Sequence, residues 1–240
     1  MGAQWKKSAK SEASQKKGLV FTKVAREIQV AAKLGGPDIA GNHRLARAIS
    51  AAKAISCPND TIDRAIKKGS GQLGDAQIDE IMYEGFGPHQ VGLLVDCQTD
   101  NRVRTASEIR LLFKSHGGNL GEMGSVAWMF DRVGLIEAAP PKDMQKNMDY
   151  AETEALEAGA NDVEKSDGEN YYFYGAIEEL ENIRAALNTR GWKVVSSELS
   201  YKAKNLTEIS PKERQEVEAF LQAVDEYDDT HKIYTSASFI

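Results

Sequence analysis

Cysteine and histidine, which supply many of the metal and redox sites of proteins, are scarce in this chain. Two cysteines, Cys57 and Cys97, occur among 240 residues and form no CxxC pair. The four histidines are scattered and show no spacing typical of metal ligands. We therefore expect no metal site, and two reduced thiols of the kind found in cytoplasmic proteins rather than a disulfide.

Long apolar runs and catalytic motifs are also missing. No apolar stretch approaches the roughly 18–20 residues that a membrane helix needs, and the N-terminus has no apolar signal-peptide core. The sequence has no P-loop, no GxGxxG after a strand, no HExxH and no GxSxG. Carboxylates are abundant, but no two are singled out as a catalytic pair. We expect neither a membrane protein nor an enzyme, and no cofactor or small-molecule substrate.

The charge of the chain is distributed very unevenly. Up to Gln72 there are 14 Lys and Arg against 5 Asp and Glu, a net charge of +9. From Leu73 onward there are 16 Lys and Arg against 31 Asp and Glu, a net charge of −15. The overall net charge of −6 conceals this division. Excess positive charge in one segment is typical of nucleic-acid binding, whereas phosphate would repel the acidic remainder. The first 72 residues are therefore the predicted contact region.

A lysine-rich arm opens the basic segment. Residues 1–17 carry five lysines and a single bulky side chain, Trp5. Such a segment has too little apolar surface to order itself alone. It is either a mobile arm that contacts nucleic acid or a solvated tail.

Three helices are predicted after the arm. Apolar residues recur at helical spacing from Leu19 onward, and the Gly-Gly-Pro sequence at 35–37 ends this first helix. The same spacing over residues 44–55 predicts a second helix, which Asn42 can cap. A short third helix runs through Lys68, capped by Asn59 or Asp60, and a glycine-rich linker follows.

Beyond the linker the apolar period changes to two, which indicates strands. Strands at 78–86, 91–98 and 126–130 and a helix at 103–115, capped by Thr99 or Asp100, form an α+β unit. Residues 133–200 then follow the order strand, helix, strand, strand, helix, strand, which is the ferredoxin-like βαββαβ order. We expect the glutamates of its first helix to lie on a solvated face.

A helix beginning at Pro211 and a strand at 233–239 close the chain. This last strand needs a partner sheet, so we expect it to return to the second unit. The predicted fold class is α+β with three domains. They are an N-terminal three-helix domain with its arm (1–74), a discontinuous α+β middle domain (75–131 plus 206–240) and an inserted ferredoxin-like domain (132–205).

The predicted nucleic-acid contacts are the basic side chains of the arm and of the three-helix domain, which we call the helical head. Two arginines at a helix start in the middle domain extend this set. The full set is Lys6, Lys7, Lys10, Lys16, Lys17, Lys23, Arg26, Arg44, Arg47, Lys67, Lys68, Arg102 and Arg104. Arginine is unfavourable for the dipole of a helix N-terminus, where backbone N–H groups already favour anions. Arg102 and Arg104 therefore either bind phosphate or pair with neighbouring acids.

A glycine-punctuated loop at 117–124 contains Gly118-Asn119-Leu120-Gly121, which fits the GxxG phosphate clamp of KH domains superficially. That clamp joins two helices, whereas this loop joins a helix to a strand. We therefore favour a structural turn.

Several motifs of the sequence follow one another in the order of a known family. They are Trp5 with its trailing lysines and the segments 21–23, 31–36, 58–69, 83–88, 99–102, 116–121, 125–130, 228–229 and 234–235. On these motifs the chain resembles YebC/PmpR-type proteins over nearly its whole length. Two places depart from the family pattern. The usual opening Ala-Gly-His-Ser-Lys-Trp is here Gly2-Ala3-Gln4-Trp5, and His89-Gln90 replace a glycine pair.

The resemblance implies a cytoplasmic, non-enzymatic protein of three domains. Members are described as transcriptional regulators that bind promoter DNA, or as translation activators that act on the ribosome. The first hypothesis is thus a nucleic-acid-binding regulator with a DNA target, and the second is a factor that contacts ribosomal RNA. A third is a protein-interaction scaffold in which the acidic βαββαβ unit docks a basic partner. The sequence does not indicate an oligomeric state.

Overall fold

A computed structural model describes residues 15–74, 78–141, 147–166 and 168–239. Three helices come first along these residues, and strands and helices follow in mixed order. The helices are α1 (Gln15–Gly35), α2 (His43–Ala54), α3 (Asn59–Gly69), α4 (Arg102–Ser115), α5 (Met148–Ala158), α6 (Leu180–Thr189) and α7 (Arg214–Glu226). The strands are β1 (Asp79–Phe86), β2 (Gly92–Thr99), β3 (Asn119–Leu120), β4 (Phe130–Ala139), β5 (Asp162–Lys165), β6 (Tyr171–Gly175), β7 (Lys193–Ala203), β8 (Thr207–Ile209), β9 (Thr230–Thr235) and β10 (Ala237–Phe239).

The first three helices pack around one apolar cluster that includes Ile28, Leu45 and Ile62. Asn42 caps α2 as predicted, because its Oδ1 accepts a hydrogen bond from the Leu45 N–H at 3.0 Å. The predicted cap of α3 is wrong, since that helix starts behind Pro58 without a side-chain cap. The helices α1 and α3 approach so closely that a Cβ on Gly69 would lie 2.2 Å from the Gln29 carbonyl oxygen.

An antiparallel sheet with the strand order β3-β1-β2-β9 follows, and we call it the middle sheet. The chain end returns to this sheet as predicted, with Leu93 opposite Thr235 in the pairing of β2 and β9. Helices α4 and α7 meet through Phe113 and Phe220, whose rings form an edge-to-face pair with centroids 5.0 Å apart. The predicted single strand 233–239 is in fact two strands, because β10 leaves the sheet and pairs in parallel with β8.

Residues from β4 to β7 adopt the predicted ferredoxin-like βαββαβ arrangement. Their sheet has the order β5-β6-β4-β7 and is antiparallel throughout. Trp192 lies in its core and makes edge-to-face contacts with Tyr171 and Phe173. The α+β fold class is thus confirmed.

Two local predictions in this part of the chain are wrong. Residues 126–130 were expected to form a strand, but Ala127–Met129 form a 3-10 helix and β4 begins only at Phe130. The glutamates of α5 were all expected in solvent, but Glu154 is 6% exposed. Its carboxylate accepts hydrogen bonds from Arg190 Nε at 2.8 Å and from Trp192 Nε1 at 3.2 Å, which explains why it is buried.

The described residues up to Ala127 and from Thr207 onward form one compact unit, and Trp128–Leu206 form another. The helical head and the middle sheet thus share one unit, and the predicted three-domain boundaries remain a prediction. None of the described helices combines the length and the apolar character needed to cross a membrane.

Candidate nucleic-acid interface

Two of the predicted contact residues on α1 point into the protein rather than to a ligand. Arg26 donates to Asp228 Oδ2 at 2.6 Å, and its other terminal nitrogen lies 2.8 Å from Asp229 Oδ1. Lys23 donates to the main-chain carbonyl of Asp225 at the end of α7. The Arg26 side chain is only 16% exposed. These contacts fasten the helical head to the acidic end of the chain.

Asp229 is the centre of this junction, and its side chain is 2% exposed. It accepts hydrogen bonds from Thr105 Oγ1 at 2.6 Å, from Arg104 Nη2 at 3.0 Å and from Thr99 Oγ1 at 3.1 Å. Burial raises the pKa of Asp229, but these hydrogen bonds and the neighbouring guanidinium charges lower it to a net value below the ordinary one. The carboxylate is therefore an anion at neutral pH.

A second ionic cluster surrounds Arg44 at the start of α2. Its Nε lies 2.8 Å from Glu27 Oε1, and its Nη2 lies 2.5 Å from Glu80 Oε1 on β1. Gln98 on β2 donates to Glu27 Oε2 at 2.6 Å. Burial alone would lower the pKa of Arg44, but the hydrogen bonds and charges of the two glutamates raise it. This arginine joins the head to the middle sheet.

Arg102 and Arg104 at the start of α4 also pair with carboxylates. Arg102 Nε lies 2.7 Å from Asp79 Oδ2, and Arg104 Nη2 lies 3.0 Å from Asp100 Oδ1 in addition to its bond with Asp229. The structure therefore agrees with the pairing interpretation of these arginines. The predicted cap of α4 is wrong, because Asn101 provides it and accepts the Arg104 N–H at 3.0 Å.

The remaining predicted cations fall into four groups. Lys6, Lys7 and Lys10 lie outside the described residues, and Lys16 and Lys17 belong to α1 with their side chains outside the described part. Arg47 is exposed on α2. The last two, Lys67 and Lys68, lie in the final turn of α3.

Helix α3 carries a cationic surface that we call the α3 patch: Arg64, Lys67 and Lys68. Arg64 and Lys67 are exposed and Lys68 is half-buried. Within the part of the chain that the structure describes, none of the three forms an ion pair. Spacing of three and four residues places Lys67 and Lys68 beside Arg64 on the helix surface. The sequence interpretation missed Arg64, although this spacing was available to find it.

A second pair of cations, Arg110 and Lys114, is exposed on α4 and was not predicted. Neither forms an ion pair with another described residue. They lie near Leu111, which is 60% exposed. The two arginines in the first turn of the same helix are already paired with Asp79, Asp100 and Asp229. This surface is smaller in charge than the α3 patch.

The glycine loop is built as a structural turn. The Gly118 N–H donates to the Phe113 carbonyl at 2.8 Å, and the Gly121 N–H donates to the Glu84 carbonyl at 2.7 Å. Both glycine donors are thus satisfied within the protein. A phosphate clamp would need them free.

The described residues also provide little for metal or thiol chemistry. They contain no group of three or more His, Cys, Asp or Glu side chains placed to hold a metal ion. Cys57 and Cys97 are both buried and unbridged. Burial raises the pKa of the Cys97 thiol to about 12, which keeps it protonated and poorly reactive.

Comparison with known proteins gives full-length matches. A family model described as the TACO1/YebC protein N-terminal domain matches residues 1–72, and one described as the TACO1/YebC second and third domain matches residues 78–237. A probable transcriptional regulatory protein of Bdellovibrio bacteriovorus is 55% identical over 98% of this chain and 100% of its own length. A similarly named protein of a Polaromonas species is 45% identical over 98% of both chains.

The fold also has a crystallographic counterpart. The crystal structure of a conserved hypothetical protein from Aquifex aeolicus superposes with a TM-score of 0.82 at 36% identity. The match covers 98% of this chain and 95% of that one.

Proposed function

This chain belongs to the TACO1/YebC family, and from that premise we propose that it is a cytoplasmic regulator of gene expression that binds nucleic acid through its helical head. The relatives named above are called probable transcriptional regulatory proteins, which supports a role in transcription and a DNA target. We propose that the protein acts by binding alone, without a catalytic step or a cofactor.

The observation that carries the proposal is the α3 patch. Five other predicted cations of the head and of α4 contact carboxylates or carbonyls of the same compact unit: Lys23, Arg26, Arg44, Arg102 and Arg104. The three cations of the patch have no such partner among the described residues. A group of unpaired cations on one helix of an acidic chain is an electrostatic contact surface for phosphate.

The arm would add to this surface. The five lysines of residues 1–17, of which Lys16 and Lys17 belong to α1, and the three cations of the α3 patch together provide about eight phosphate contacts. This number is within the range of 6–10 for which affinity falls roughly 10³–10⁵-fold between 50 and 200 mM salt. Binding of this kind is strong at low salt and largely independent of sequence.

A ribosomal RNA target is a second candidate, and the acidic residues of α3 favour it. Asp60 and Asp63 are exposed on α3 among the cations. A recognition helix lies along a DNA groove between two phosphate backbones, where these carboxylates would be repelled. Contact through the C-terminal end of α3 alone would avoid them, and such backbone contacts suit folded RNA as well as DNA.

In-cell ultraviolet crosslinking, with sequencing of both the DNA and the RNA recovered, tests the proposal. It compares the wild type with the triple variant Arg64→Gln, Lys67→Gln, Lys68→Gln, which removes the charge of the α3 patch. The matched control is Lys165→Gln, Lys193→Gln, Lys212→Gln, which removes three exposed cations elsewhere. We expect crosslinks in the wild type and the control, and at least tenfold fewer in the patch variant.

The recovered molecule decides the target. Discrete promoter DNA supports regulation of transcription, and ribosomal RNA supports action on the ribosome. Recovery of no nucleic acid above background with the wild type would contradict the proposal and favour the interaction scaffold.

A further inference from the structure

A cleft with a volume of about 310 Å³ lies between α1 and α3 and is also lined by Ile78 and Asp100. Its α1 wall runs from Phe21 to Gln29, and its α3 wall includes Thr61 and Lys68. Each wall covers about two helical turns, or roughly 10–12 Å. The cleft is at the lower end of the range of roughly 300–1,000 Å³ that is usual for small-molecule sites. It has room for one small planar group and not for a duplex.

Gln29 lines the cleft and carries a side-chain amide at its wall. Its Oε1 is buried and has no hydrogen-bond partner within the described part of the protein. Buried polar atoms are normally paired, and leaving one without a partner costs free energy that a hydrogen-bond donor reaching it would recover. An amide offers a donor and an acceptor side by side, which matches the edge of a nucleobase.

The rest of the lining suits the other parts of a nucleotide. Phe21 is half-buried and offers an aromatic surface on which a base can stack. Thr22 and Thr61 supply hydroxyl groups, and Lys68 supplies an ammonium group that has no ion-pair partner among the described residues. Asp100 contributes a carboxylate, but Arg104 neutralises it at 3.0 Å.

The cleft is continuous with the α3 patch, because Lys68 belongs to both. A strand whose phosphates lie on Arg64 and Lys67 would therefore pass the opening beside Lys68. Bases in a duplex are stacked and paired and cannot leave the helix without cost, whereas those of a single strand turn outward freely. The arrangement combines a backbone contact with a place for one base.

We propose that this cleft binds one unstacked nucleotide of a single-stranded nucleic acid, with its base against Phe21 and Gln29 and its phosphate at Lys68. The inference rests on the proposed function and deepens it, since it names single-stranded segments as the preferred ligand of the head. RNA and single-stranded DNA share the chemistry that the cleft recognises.

The test measures the affinity of the full-length protein for three fluorescein-labelled probes by anisotropy. The probes are a 12-nucleotide RNA, the DNA strand of the same sequence and the corresponding DNA duplex. Gln29→Leu removes the side-chain amide at similar volume, and Thr22→Trp fills the cleft from an exposed position on α1. Val20→Trp is the matched control, because Val20 is 41% exposed on the same helix and does not line the cleft.

We expect both cleft variants to bind the two single strands about tenfold more weakly than the wild type, as for the loss of one base contact. We expect the cleft variants to bind the duplex with wild-type affinity, and the control Val20→Trp to bind all three probes with wild-type affinity. A larger loss with RNA than with single-stranded DNA identifies RNA as the natural source, and equal losses indicate that the ribose hydroxyl is not read.

A second readout does not depend on affinity. The side-chain amide resonance of Gln29, assigned by its disappearance in Gln29→Leu, is expected to shift when single-stranded RNA is added to the folded wild type. Wild-type affinity in both cleft variants with no shift of this resonance would overturn the cleft proposal and leave the proposed function intact. A wild type that binds none of the three probes would overturn both.

Discussion

At the scale of single residues, Asp229 has the largest structural role of the charged side chains described above. Its carboxylate meets Arg26 of α1, Arg104 and Thr105 of α4, and Thr99 of β2. Helix α1 and the junction of β2 with α4 thus converge on one buried anion near the end of the chain. Removing one partner of a buried ion pair leaves the other charges uncompensated, which costs more than the pair itself contributes.

The variant Asp229→Asn is expected to lower the free energy of unfolding by about 3–5 kcal/mol at neutral pH. The arginines would keep their positions but lose the buried countercharge. Urea denaturation of the two proteins measures the difference. The control is Asp228→Asn, since Asp228 is 43% exposed and an ion pair of this exposure contributes less than about 1 kcal/mol.

This difference should depend on pH with a definite sign. The pKa of Asp229 in the folded protein lies below its value of about 3.9 in the unfolded chain. Its stabilisation is therefore complete above about pH 4 and is lost as the pH falls through the folded pKa. The difference in the free energy of unfolding between the wild type and Asp229→Asn should therefore become smaller in acid. A gap that is constant from neutral pH to below the folded pKa would contradict the assignment.

The sequence identified the chemistry of these residues but not their partners. Arg26 and Arg104 were recognised as cations, yet Arg26 and its partner Asp228 are separated by 202 positions. Residue type and helical spacing carry no information about such distant contacts. The α3 patch is different, because its members are neighbours on one helix and their spacing alone brings them together.

At the scale of elements, most helices and strands followed from hydrophobic period and from glycine and proline signals. The strand expected at 126–130 is an exception, because one distant side chain organises the backbone there. Glu84 on β1 accepts the N–H groups of Gly124, Val126 and Ala127 at 2.8–2.9 Å. The backbone there bends around a carboxylate instead of extending as the expected strand, and apolar composition cannot reveal this.

Replacing Glu84 with glutamine is therefore expected to loosen the segment that contains these three amides. Glutamine has one acceptor oxygen, and its NH₂ group would face backbone donors, so we expect a loss of about 2 kcal/mol in the free energy of unfolding. Hydrogen exchange should accelerate at the amides of Gly124, Val126 and Ala127 and stay unchanged at Phe173. The exposed Glu152→Gln on α5 is the control. Unchanged protection of the three amides would refute this role.

At the scale of the whole molecule, the charge division in the sequence overstates the positive field of the head. Part of the +9 net charge meets carboxylates of the acidic remainder inside the same compact unit, through Arg26, Arg44 and their partners. Charge segregation along the chain thus first serves to hold the head against the middle sheet. What remains for a ligand is the α3 patch together with the arm and the exposed Lys53 of α2.

The salt dependence of binding tests the central claim most directly. Anisotropy titrations of a labelled DNA duplex between 50 and 200 mM salt give the slope of log affinity against log salt for the wild type, the α3 patch variant and the matched control. Each lost phosphate contact reduces the slope by about 0.9. We predict that the patch variant reduces it by about 2–3 and that the control equals the wild type. Equal slopes and affinities for all three proteins would show that the α3 patch does not contact nucleic acid.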